Sequence, residues 1–132
     1  MTTLDDIVDH ARCQSWRGPV FDGAVTVLTR NPLCGDIVSL HVDLRDGDIW
    51  QARHESVGCI ISRGCTSLLC EQVEGKPVAE VLQSGVEGLL EFDISQLTIH
   101  KQQCARLAYD LLQRMLREQF PTEANEKDSP ND

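Results

Sequence analysis

The chain has 132 residues, of which 41% are hydrophobic and 25% charged, proportions that suit one soluble globular domain. Its net charge of −9 sets an acidic surface against phosphate backbones, so nucleic acid is not an expected partner. No run approaches the ~18 apolar residues a membrane-spanning helix needs, and Met1-Thr-Thr-Leu-Asp-Asp6 lacks the basic and apolar regions of a signal peptide, so a cytoplasmic protein without a membrane partner is expected.

Residues 3–13 read as a short helix with Leu4, Ile7, Val8 and Ala11 on one side. Residues 14–23, with Gly18-Pro19 and Gly23, read as a loop, and the β-branched stretch 24–29 as a strand. Arg30-Asn-Pro-Leu-Cys-Gly-Asp36 reads as a turn. Val38, Leu40, Val42 and Leu44 then alternate with Ser39, His41 and Asp43, the pattern of a half-buried strand. Asp46-Gly47 predicts a hairpin turn and residues 48–57 the return strand, on which His54 is structural or exposed.

After Gly58 the apolar period changes from two to that of a helix, through Ile61, Cys65, Leu68 and Leu69 to about Glu74. A short helix follows over 78–83 and a further turn over 86–90. A last long helix begins near Ile99 and ends before Pro121, with Cys104, Leu107, Ala108, Leu111, Leu112, Met115 and Leu116 as its apolar stripe. The expected fold is α+β, a small antiparallel three-stranded sheet packed against several helices, in one domain over residues 1–120. Residues 121–132 carry −3 of the net charge and read as an acidic disordered tail.

Six cysteines stand out, and without a secretory leader they are expected to be reduced. No CxxC pair occurs, so a metal site has to draw ligands from distant segments. Cys65 falls on the apolar stripe and reads as core, Cys70 as partly buried or flanking, and Cys13 has no local support for chemistry. Cys34 stands in a tight turn two residues before Asp36. Cys59 lies where a strand gives way to a helix, and Cys104 near the start of the last helix, settings in which free N–H groups favour a thiolate. Three thiolates and the Asp36 carboxylate make the four donors that suit zinc and also iron. Spacing alone leaves this site level with scattered buried cysteines.

The turn Asn31-Pro-Leu-Cys-Gly-Asp36 resembles the Asn-Pro-x-Cys-Gly-Asp motif of the iron–sulfur scaffold family that includes IscU, SufU and the NifU N-terminal domain. Gly58-Cys-Ile-Ile-Ser-Arg-Gly-Cys-Thr-Ser67 resembles that family's Gly-Cys-x-Ile-Ser-x-Ala-Ser-x-Ser stretch, and Cys104-Ala-Arg-Leu-Ala its third cysteine motif. The resemblance spans roughly residues 4 to 117. It implies that Cys34, Asp36, Cys59 and Cys104 are ligands to iron, to a transient [2Fe–2S] cluster or to zinc. It implies sulfur taken as persulfide from a cysteine desulfurase, with Cys34 and Cys104 as candidate acceptors, and delivery to apo-protein acceptors or downstream carriers. On this reading the chain is a scaffold, not an enzyme.

Three departures bear on which member it resembles. Gln103 stands where IscU-type members carry His, and His100, one helical turn before Cys104, is either its replacement or a solvated residue. The stretch Leu97-Thr-Ile-His-Lys-Gln-Gln103 lacks the chaperone-docking Leu-Pro-Pro-Val-Lys. The gap from Cys59 to Cys104 is too short for the SufU-type insertion, and Lys101 stands where those members have Arg. A labile-cluster scaffold, a zinc-dependent sulfur relay and a structural zinc domain that only binds partners are the three readings to separate.

Overall fold

The computed structural model describes residues 1–32 and 35–120. The expected tail over 121–132 lies outside them, as does Cys34. Helix α1 (Leu4–Arg12) opens with a capping box: Thr3 Oγ1 accepts from Asp6 N at 3.2 Å, and Asp6 Oδ2 accepts from Thr3 N at 2.8 Å. Strands β1 (Val25–Asn31), β2 (Asp36–Arg45) and β3 (Asp48–Val57) form an antiparallel sheet in the order β1-β2-β3. The β2–β3 hairpin closes through Asp46 and Gly47, both at positive φ, as the Asp-Gly pair predicts. Helices α2 (Ile60–Val73), α3 (Val78–Gln83), α4 (Val86–Leu90) and α5 (Ile99–Gln119) follow, with a 3₁₀ turn over Ile94–Gln96.

The alternation in β2 works as read. Val38, Leu40 and Val42 are buried on the helix side, joined from β3 by Ile49 and Ala52. On the opposite face a hydrogen-bonded chain crosses all three strands: Thr26 Oγ1 to His41 Nδ1 at 3.0 Å, and His41 Nε2 to Glu55 Oε1 at 3.1 Å. Helix α2 is the central element, buried from Ser62 to Val73 on nearly every side between the sheet, α1 and α5. Its two cysteines are core: Cys65 and Cys70 are each 1% exposed, and burial pushes both thiols up to about 12. Cys70 is therefore deeper than the flanking position its helical phase suggested, because the side of α2 that carries it is covered by the packed core.

Gly64, mid-helix, marks the closest packing. A Cβ there would run into the Ile7 carbonyl oxygen and lie 2.8 Å from Ile7 Cγ2, so its absence lets α1 seat directly on α2. Two elements differ from the sequence reading. Residues 86–90 form a short helix instead of a turn, and the 3₁₀ turn is additional, capped by Asp93, whose carboxylate accepts from Ser95 N at 3.0 Å.

Candidate metal and sulfur site

The first and second segments meet at the open end of the β2–β3 hairpin. Strand β2 begins at Asp36, not at Val38, because the ladder with β1 runs on to the pair Asn31↔Asp36. The next pair along, Ile37↔Val57, brings Asp36 beside Gly58 just past the end of β3. Gly58 sits at φ +138, and a Cβ there would overlap Asp36 Oδ1 and lie 2.9 Å from Asp36 Cα. Only glycine admits the carboxylate this close.

That approach fixes Asp36 against Cys59. Cys59 N donates to Asp36 Oδ1 at 2.9 Å, and its thiol donates to Oδ2 at 3.8 Å. Cys59 is the N-cap of α2, and its sulfur accepts from Ser62 N at 3.4 Å. The expected helix-start setting is thus met at Cys59.

It is not met at Cys104. Thr98 caps α5, accepting from Lys101 N at 3.3 Å, which leaves Cys104 in the second turn, where the backbone N–H groups are already paired. Cys104 instead reaches the site through packing of α5 against the sheet, 1% exposed, with Asn31 Nδ2 donating to its sulfur at 3.9 Å. Asn31, 6% exposed, is a site residue that reading the turn as a loop missed. Its signal was a polar residue at a fixed offset from Asp36.

Ligand atoms of Asp36, Cys59 and Cys104 all lie within 4.8 Å of one another, the one such group of metal-ligating side chains among the described residues. The donor set fits a cation. Asp36 is fully buried, yet no lysine or arginine pairs with it among the described residues, where it accepts from the Cys59 N–H and the Cys59 thiol. A buried carboxylate so placed lacks a compensating charge, which a metal ion supplies. His100 stays outside this group, exposed in the first turn of α5. No disulfide joins the described cysteines, and no helix among the described residues is long and apolar enough to cross a membrane.

Fold and donors together define a class: small α+β proteins that set a thiol–carboxylate cluster between a sheet end and a helix. The chain belongs to the NifU-like N terminal domain family, whose family model matches residues 4–125. It is 35% identical over 81 residues to the iron–sulfur cluster assembly scaffold protein IscU of Thermotoga maritima, covering 61% of this chain and 57% of that protein. With IscU 1 of Archaeoglobus fulgidus the identity is 26% over 116 residues, 88% and 75% of the two chains. With the zinc-dependent sulfurtransferase SufU of Bacillus subtilis it is 35% over 77 residues, 58% and 51%. In fold it is similar to a crystal structure described as a SUF-system iron–sulfur cluster assembly scaffold protein from Fervidobacterium islandicum AW-1. The TM-score is 0.73 at 20% identity, covering 86% of this chain and 96% of that one.

Proposed function

We propose that this chain is an iron–sulfur cluster assembly scaffold, which takes sulfur from a cysteine desulfurase and holds iron or a transient [2Fe–2S] cluster as cargo on Cys34, Asp36, Cys59 and Cys104. The observation that carries the reading is the convergence of Asp36, Cys59 and Cys104 within 4.8 Å, around a buried carboxylate that pairs with no lysine or arginine among the described residues. The carboxylate is a harder and weaker donor to iron than a fourth thiolate, which favours release over permanent storage. Sulfur enters by thiol exchange. An acceptor thiolate, Cys34 or Cys104, attacks the outer sulfur of the desulfurase persulfide; that S–S bond breaks, and the desulfurase thiolate leaves. Cys104 is buried, and the sequence reads Cys34 as part of the Asn31–Asp36 turn, so Cys34 is the acceptor we favour. Conversion of the acquired sulfur to sulfide needs an external electron donor. Cluster then passes to apo-protein acceptors or carriers, in the cytoplasm.

Anaerobic incubation with iron, cysteine and a desulfurase is expected to give cluster absorbance in the visible range, lost in the Cys59→Ser and Cys104→Ser variants. Tight stoichiometric zinc with no cluster would sink this reading and leave the second.

The second reading is a zinc-dependent sulfur relay, in which the chain is a sulfurtransferase. The 35% identity to the Bacillus subtilis protein favours it. The same residues would hold the zinc, which supplies charge compensation for thiolates and for Asp36. Mass spectrometry after reaction with desulfurase then finds adducts of about 32 Da, one sulfur atom each, on Cys34. Undiminished stimulation of the desulfurase by Cys34→Ser removes that assignment.

A further inference from the structure

A second polar site also borders Gly58. A cavity of about 430 Å³ is lined by Cys13, Gln14, Arg17, His54, Gly58 and Arg63. Three elements build it. The end of α1 supplies Cys13. Residues 16–18 run along the outer edge of β3, where His54 N donates to Trp16 O and Gly18 N to His54 O, both at 3.0 Å. The first turn of α2 supplies Arg63.

No acidic residue lines this cavity, in a chain whose net charge is −9. Arg17 Nη1 donates to Ser56 O at 2.8 Å, and Arg63 donates to Gly58 O at 3.1 Å and Ala11 O at 3.2 Å. Both guanidinium groups are thus pinned to backbone carbonyls, and neither meets a carboxylate among the described residues. Each has five N–H donors, so several remain for an anion.

His54 gives the second observation. It is 2% exposed, and its Nε2 is buried without a hydrogen-bond partner among the described residues. It pairs with Leu40 across the ladder and so shares the helix-side face of the sheet, toward the cavity. In the tautomer that lets the Ser56 hydroxyl, 3.1 Å away, donate to Nδ1, Nε2 carries the proton and is a donor without an acceptor among the described residues.

We propose that this cavity binds the carboxylate of a small organic acid, amino acid to tripeptide in size, between Arg17, Arg63 and His54, one residue from Cys59. A guanidinium fork matches a carboxylate edge-on with two parallel hydrogen bonds. A bare inorganic oxyanion, about the size of two waters at ~30 Å³ each, fills little of the cavity; an organic acid fills more and also reaches the Gln14 amide and the Cys13 thiol. The site needs no metal and stands whatever the cluster of Asp36, Cys59 and Cys104 holds.

The test titrates the full, reduced, metal-free chain with triglycine, L-serine, ethanolamine and sulfate at fixed ionic strength. Two readouts are followed: the His54 imidazole resonances, and the rate of Cys13 alkylation mapped by peptide mass. Triglycine and serine are expected to shift His54 and to slow Cys13 alkylation saturably, triglycine at lower concentration. Ethanolamine, which is serine without its carboxylate, is expected to do neither. Arg17→Gln and Arg63→Gln are each expected to weaken triglycine binding about tenfold, measured well below a melting temperature that the lost carbonyl bonds lower. Equal binding of ethanolamine or sulfate, no saturable shift, or undiminished binding in both arginine variants overturns the proposal.

Discussion

Protonation of His54 is expected to set much of the acid sensitivity of this fold. Burial, with the nearby Arg17 charge second, lowers its pKa from 6.5 to about 4. In the native state the imidazole stays neutral until the pH nears 4, whereas in the unfolded chain it takes a proton near 6.5. Between these values the unfolded state binds more protons, so stability falls as the pH falls through the window; the contribution of neutral His54 is complete above 6.5 and gone below 4. At about 1.4 kcal/mol per pH unit the loss amounts to about 3 kcal/mol, or roughly 10 °C in melting temperature for a domain of this size. The assay is thermal unfolding of wild type and His54→Leu from pH 7.5 to pH 4. Leucine removes the titration, so the variant is expected to show a flatter profile by that amount whatever its absolute stability. Parallel profiles, or an NMR titration midpoint for His54 near 6.5, would refute the reasoning.

Other substitutions probe the site and the packing that positions it. Gly58→Ala sets a Cβ against Asp36 at φ +138 and is expected to cost about 3 kcal/mol and to weaken metal retention, read by denaturant unfolding and a chelator chase. Gly64→Ala gains about 1 kcal/mol of helix propensity but collides with the Ile7 backbone; a net loss of about 2 kcal/mol is expected, and a gain would mean that α1 shifts freely on α2. Asp36→Cys, a smaller side chain in the same space, supplies a further thiolate, and its cargo is expected to leave more slowly to a chelator than the wild-type cargo; equal or faster release would remove the role given to the carboxylate. Cys70→Ser places a hydroxyl in a fully packed position and is expected to destabilise by about 1–3 kcal/mol without altering metal content.

Much of the architecture was legible because the periods are clean. Alternation in Val38–Leu44 and the Asp46-Gly47 turn specify the hairpin, and the change to helical spacing after Gly58 specifies α2. Less legible were features set by contacts between distant segments. Nothing local in α2 says that the side carrying Cys70 is covered, so Cys70 read as shallower than it is. The start of α5 near Ile99 was read correctly, but Cys104 lies five residues into the helix, past the turn whose N–H groups are free, so it is not the helix-start thiol it was read as. The partners of a site residue were hidden in the same way: Asn31 and Cys104 are 73 residues apart and meet only when α5 packs on the sheet. His54 carries no motif at all, and the importance of its burial follows from the segment 16–18 covering the edge of β3.

Asp36 and Cys59 share one hairpin end, while Cys104 rides on α5, so a cargo gripped by all three fastens the last long helix to the sheet. Binding and folding then draw on one free energy: a ligand at its site adds RT ln(1 + [L]/Kd) to native stability. The converse also holds. Whatever draws α5 away from the sheet loosens the grip by the same amount that the cargo had tightened the fold. On the proposed scaffold reading, a receiving protein that drew α5 away would loosen the grip without first reaching the buried sulfur.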